Sequence, residues 1–306
     1  MYQKTSSNQL FLSLTFGKRL GLFVCIFFVC YLISAVLGYL VMRIGHEGAA
    51  SLRIATVVQD MLVFIVPAAA TAVMITRRPD RFLLLERSPR WVVAVLALFT
   101  FMMSVPLMNR IVVWNEGLQL PDSMQSLQVW MAEAEQRAAH LTDMLIGGTS
   151  VSSMVMGVLI VGVLAGLSEE LFFRGALQRL LMTRPMNAHV AIWLTAALFS
   201  LFHFQFFGFV PRMLLGALFG YMAWWTRCLW IPIMLHVVNN SLVVVTTWLT
   251  NTGRISDGID TMGTTDSVTD IMQCVTCSVL FVVGLVAIRR LTKRMLAAGQ
   301  TACDGK

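Results

Sequence analysis

The sequence predicts an all-α, polytopic membrane protein: a bundle of about eight transmembrane helices, with one amphipathic helix between spans three and four. Three observations predict it. Of the 306 residues, 57% are hydrophobic and only 13% charged, about half the charged share usual in soluble domains. Apolar stretches long enough to cross a bilayer, roughly 20 residues at 1.5 Å rise each, recur along nearly the whole length. The remaining charges gather between those stretches, arginines in some connections and acids in others.

The spans fall at about 20–42, 54–76, 91–112, 148–182, 188–207, 209–226, 231–250 and 268–290. The first exceeds the core of a secretory signal, about 7 to 15 residues, and no small-residue cleavage site follows it, so it is read as a retained helix. The 77–90 connection holds Arg77, Arg78, Arg81, Arg87 and Arg90, and the last span is followed by Arg289, Arg290, Lys293 and Arg294. The 113–147 and 251–267 connections are instead rich in Asp and Glu. Basic connections stay cytoplasmic. Eight spans therefore put the arginine loop, the Arg184 loop, Arg227 and both termini on the cytoplasmic side, whereas seven or nine would place like-charged loops on opposite sides. The expected location is the cell (plasma) membrane. The net charge of +7 belongs to this orientation and not to a nucleic-acid surface, because the basic residues flank apolar runs.

Between spans three and four, Pro121 and Asp122 open a segment in which Leu127, Trp130, Met131 and Ala134 share one helical face. It is expected to lie on the membrane surface or to cap the bundle. Cys25, Cys30, Cys228, Cys274, Cys277 and Cys303 fall mostly in apolar runs, where cysteine acts as a small hydrophobe. No disulfide framework is expected, and the Cys274–Cys277 pair stands alone, without the second pair of a metal site.

Ionisable groups inside spans are costly, so they face protein or trapped water. Spans four, five and seven carry them. In "AGLSEELFFRGALQRLL", Glu170 and Arg174 are four apart and share a helix face; Glu169, about 100° round the helix, is left pointing elsewhere. His203 sits late in span five, one turn after Phe199, and His236 and Asn240 lie one turn apart in span seven. A glutamate can take a proton from water, an imidazole can relay it, and a His/Asn pair can donate to an oxyanion. No G-x-S-x-G element is present. The same residues leave a second chemistry open, because Glu169, His203 and His236 also make up a zinc-type ligand set, although no H-E-x-x-H occurs.

These residues resemble the CPBP family, the CAAX prenyl protease and bacteriocin-processing group also called Abi, whose pattern is E-E-x-x-x-R, then F-x-x-x-H, then H-x-x-x-N. The chain supplies "EELFFR" (Glu169 to Arg174), "FSLFH" (Phe199 to His203) and "HVVNN" (His236 to Asn240) in that order. The resemblance implies an eight-helix intramembrane endopeptidase cutting a membrane-associated protein or peptide, with CAAX-type processing of a lipidated substrate as its type II members imply. Carried over, Glu169 is the base, His203 helps to activate water, His236 and Asn240 form the oxyanion site, and Glu170–Arg174 is a structural ion pair. No cofactor is required on this reading; a divalent metal, zinc, is the alternative. One integrated membrane domain then has helices and amphipathic connection at 1–147, a catalytic core at 148–250, and a loop, last helix and basic tail at 251–306. Competing expectations are a non-catalytic scaffold or immunity protein, and a transporter or proton relay, though the internal repeat of many transporters is missing.

One geometric difficulty follows from the spacing. His203 would lie about 24 Å along its span from residue 187, but His236 only about 8 Å from residue 231. For the two to meet, the fifth helix must be tilted, broken or shifted inward.

Overall fold

A computed structural model describes residues 13–45, 48–86, 88–183, 186–256 and 261–298; Arg87, Arg184 and Cys303 lie outside them. The described residues are helical, with no strand. In chain order the helices are α1 (Phe16–Ile44), α2 (Ala49–Ile75), α3 (Trp91–Glu116), α4 (Gln125–Ile146), α5 (Val151–Met182), α6 (Ala188–Leu201), α7 (Phe209–Thr226), α8 (Trp230–Asn251) and α9 (Val268–Ala297). Seven of them are long and apolar enough to cross a membrane. Large apolar side chains such as Val29, Leu32 and Val282 are more than half exposed, which suits lipid as the surrounding solvent. The chain is an integral, multi-pass membrane protein.

The fifth expected span, 188–207, is shorter in the structure. Helix α6 has only 14 residues and stops at Leu201, not at 207, because the chain turns at 202–205 with Phe204 in the left-handed region at φ 51°. A non-glycine residue there costs about 1–2 kcal/mol. His203 sits in this turn, just beyond the end of the helix.

Hydrogen bonds to backbone carbonyls tie the two ends of the bundle. At one end Arg179 Nε donates to the Phe82 carbonyl and Leu229 N to that of Leu84. At the other, Arg53 donates to the Leu145 carbonyl, Trp248 Nε1 to that of Thr149, and Asn115 Nδ2 to that of Phe206. Helix α4 lies across this second end, with Trp130 against the Phe206 ring at 5.2 Å. Met131 and Ala134 are partly buried, while Leu127 and Trp130 stay more than a third exposed. Cys25, Cys30, Cys274 and Cys277 are free. Cys228 is disulfide-bonded.

Two local features position the polar residues. Helix α2 opens into a π-helical turn at Asp60–Ile65, and α5 does so at Val158–Leu164 and Leu171–Leu177. The regular stretch Ala165–Glu170, which carries both glutamates, is thus held between two wide turns of a kind that recurs at functional sites. Beside it α5 and α8 approach closely: a Cβ at Gly166 would sit 3.1 Å from both the Val237 nitrogen and its Cγ2. A larger residue there would need Val237 to give by a few tenths of an ångström, and the approach brings His236, the neighbour of Val237, against α5.

Candidate active site

Glu170 and Arg174 are both fully buried, with Nη1 donating to Oε1 at 2.6 Å. Burying such a pair is costly unless its remaining donors and acceptors are served, and here they are served in part: Arg174 Nη2 donates to the Gly216 carbonyl on α7 at 3.0 Å, while Arg174 Nε and Glu170 Oε2 are buried without a hydrogen-bond partner. Its guanidinium carbon also stands 4.4 Å from the Phe199 ring centroid, a stacking contact that a planar cation favours. One turn further, Gln178 repeats the reach, with Nε2 donating to the Gly220 carbonyl at 3.0 Å. Residues 170, 174 and 178 form a polar seam between α5 and α7.

His236 closes the seam on the other side. Its Nδ1 lies 2.8 Å from Glu170 Oε1, and a carboxylate can only accept, so Nδ1 donates and the tautomer is set. Nε2 then faces Glu169 Oε2 at 3.7 Å. That is too long for a direct hydrogen bond and suits a water shared by both atoms. The Glu169 side chain keeps 13% of its surface exposed, yet Oε2 itself is buried without a hydrogen-bond partner. Adjacent glutamates thus have different surroundings: Glu170 accepts from Arg174 and His236, while Glu169 holds an unused oxygen toward His236.

His203 Nδ1 is 3.0 Å from the Phe199 carbonyl, which again fixes the proton on Nδ1 and leaves Nε2 as an acceptor. The Phe199 ring stands between the two histidines, 5.0 Å from His203 and 5.8 Å from His236. His203 lies within electrostatic reach of Glu169 and His236. Asn240 is placed differently: its Nδ2 donates to the Val161 carbonyl at 3.1 Å, and its Oδ1 accepts from Asn239. One amide proton remains for another partner. Glu169, Glu170, Arg174 and His236 are thus brought together directly, His203 joins them across Phe199, and Asn240 sits one turn along α8, bridging to α5.

Among the described residues no group of three or more His, Cys, Asp or Glu is arranged to hold a metal. The alternative ligand set Glu169, His203 and His236 is not gathered as such a group. A cavity of about 370 Å³ between α2 and α5, lined by Ala50, Arg53, Ile54, Val57, Val58, Met156 and Ile160, holds none of the candidate residues.

Several polar residues near the site escaped sequence reasoning. Asp60, buried in α2, lies within electrostatic reach of Glu169; the signal was a lone acid in an otherwise apolar window. Arg212 binds the Gln205 carbonyl and its Oε1, and Gln205 in turn donates to Glu135 on α4 at 3.2 Å. This chain fastens the amphipathic helix to the His203 turn. Nothing in the spacing of Glu135, Gln205 and Arg212 announces it.

Residues 151–242 match the family described as type II CAAX prenyl endopeptidase Rce1-like, a stretch containing Glu169, Glu170, Arg174, His203, His236 and Asn240. The resemblance to the CAAX protease group holds over that segment. No curated protein and no solved structure matches the chain.

Proposed function

We propose that the protein is an intramembrane endopeptidase that hydrolyses a peptide bond of a membrane-associated protein or peptide with water activated by Glu169. The observation that carries this reading is the contrast within one dipeptide: Glu170 Oε1 is committed to Arg174 and His236, whereas Glu169 makes no hydrogen bond among the described residues and holds its buried Oε2 3.7 Å from His236 Nε2. Water held there loses a proton to Glu169 as its oxygen attacks the scissile carbonyl. His203 Nε2 accepts a second hydrogen bond from the same water. His236 enters the step as the imidazolium, with Nδ1–H on Glu170. Its Nε2–H therefore donates to the oxyanion, joined by the free amide proton of Asn240, and Glu169 passes the proton it gained to the departing amine nitrogen as the C–N bond breaks. Preorganised donors of this kind are often the largest catalytic contribution.

The finer assignments are part of the same proposal. The substrate is lipidated, in keeping with the CAAX family description, and its apolar chain runs in the bilayer beside the helices. The arginine-rich end of the bundle faces the cytoplasm, with both termini, in the cell membrane. The reaction needs no metal, so a strong chelator leaves the rate of purified protein unchanged; loss of activity restored by zinc would instead favour the metal reading.

The test of function is a mass-spectrometric comparison of membrane-derived peptides from cells carrying wild type or Glu169→Gln at matched expression. Peptides found only with wild type establish proteolysis and name the substrate. Identical peptide sets, with both proteins folded and lipidated substrates expressed, favour a scaffold.

A further inference from the structure

The end of the bundle where Arg179 reaches the Phe82 carbonyl and Leu229 that of Leu84 holds a second cavity, of about 220 Å³. It lies between the last turns of α7 and α9, lined by Trp224, Trp225 and Arg227 on one side and by Arg289, Thr292 and Lys293 on the other. None of the candidate catalytic residues belongs to it.

Three cations meet here without an acid. Residues 209–235 and 285–298, which carry the whole lining, contain no Asp or Glu. None of Arg227, Arg289 and Lys293 forms an ion pair among the described residues, and the nearby acids of the 77–90 connection, Asp80 and Glu86, are both taken by Arg78. Like charges gathered in this way repel one another unless an anion sits among them.

Two features make this a site and not only a charged surface. Trp225 Nε1 is buried without a hydrogen-bond partner, although an indole N–H can only donate and a buried donor normally finds an acceptor. The Trp225 ring is already engaged, by the Arg289 guanidinium 5.3 Å from its centroid and by the Tyr221 ring at 5.2 Å, so the N–H is the group left over. Arg227 is the second feature. It ends α7 in the left-handed region at φ 55°, where glycine is the usual residue, and an arginine kept there brings a charge to the cavity that glycine could not.

The ligand that suits these donors is an anion with several oxygens, a phosphate group, which guanidinium forks recognise. The surroundings select its source. Tryptophans favour the depth of lipid headgroups, Leu296 in the lining is 41% exposed, and basic pockets between transmembrane helices suit the headgroups of anionic lipids. We propose that this cavity binds the phosphate of one anionic phospholipid through Arg227, Arg289, Lys293 and the Trp225 N–H, with the acyl chains running in the bilayer beside α7 and α9. The lipid fastens α9 to α7, the helix whose Gly216 and Gly220 carbonyls receive Arg174 and Gln178. The inference does not depend on the peptidase reading.

The test is native mass spectrometry of the full-length protein in detergent, titrated separately with phosphatidylglycerol, phosphatidylcholine and inorganic phosphate. Wild type is expected to retain one phosphatidylglycerol in preference to phosphatidylcholine, and inorganic phosphate is expected not to displace it. Arg289→Gln combined with Lys293→Gln should weaken retention about 30-fold, the product of two cations near a membrane surface. Trp225→Phe, which keeps a ring and removes the N–H, should weaken it about 10-fold. Arg290→Gln combined with Arg294→Gln removes the same charge from α9 outside the cavity and should leave retention unchanged. Equal retention of the two lipids, or an equal loss in the two double variants, overturns the inference, since general lipid contact or diffuse charge then accounts for binding. Displacement by inorganic phosphate overturns the lipid assignment in favour of a free-phosphate site. If the Arg289 and Lys293 double variant does not fold, Trp225→Phe decides, and wild-type retention by it contradicts the proposal.

Discussion

Two faces of helix α5 lie about 100° apart and are built on opposite principles. On the first, Glu170, Arg174 and Gln178 each reach a neighbouring helix through at least one hydrogen bond, and the arginine is further enclosed by Phe199 and Phe219. On the second, Glu169 has an unbonded oxygen directed toward His236. The difference teaches that burial of charge has two uses in this bundle. Each face keeps a buried, unbonded carboxylate oxygen, Glu170 Oε2 and Glu169 Oε2; the difference is that Glu170 Oε1 joins helices through Arg174 and His236, whereas Glu169 makes no hydrogen bond among the described residues.

Removing the cation from the first face has the largest expected effect on stability. Arg174→Met leaves Glu170 buried without its counter-ion, a loss of about 3–5 kcal/mol, and denaturant unfolding in detergent should show it as a collapse of the folded population. Gly166→Ala comes next. The added methyl would press on the Val237 backbone at 3.1 Å, and overpacking of this kind costs about 1–3 kcal/mol. Because the strain separates α5 from α8 beside His236, cleavage should fall as well, and a variant with full stability and full activity would show that the close approach is not needed. Gln178→Leu is the smallest change: one hydrogen bond, about 0.5–1.5 kcal/mol, with the rate of cleavage unaltered. If Gln178→Leu abolished cleavage without loss of stability, the seam would extend into catalysis and the division between the faces would break down.

The i, i+4 spacing of Glu170 and Arg174 made the first face legible in the sequence, because helical geometry alone brings such side chains together. The order of spans was legible for the same kind of reason, hydropathy acting over about 20 residues. Local backbone choices were not. The left-handed Phe204 that shortens α6 and the π-helical turns around the glutamates leave no mark in a hydropathy pattern, since each depends on packing against other helices. His236 was expected to work with Asn240, its neighbour one turn along; the bond of its Nδ1 to Glu170, 66 positions away in the chain, left no mark in the spacing. Asp60 was passed over because one acid barely alters the mean of an apolar window.

The most direct test of the central claim compares Glu169→Gln with Glu170→Gln in purified protein, measuring cleavage rate and unfolding midpoint together. Glu169→Gln should lose about 10²- to 10⁴-fold in rate at an unchanged midpoint, and Glu170→Gln should lose about 1–3 kcal/mol of stability with a smaller fall in rate as His236 loosens. Normal turnover by Glu169→Gln, or a Glu170→Gln protein that is fully stable yet inactive, would contradict the account and reverse the roles of the two glutamates.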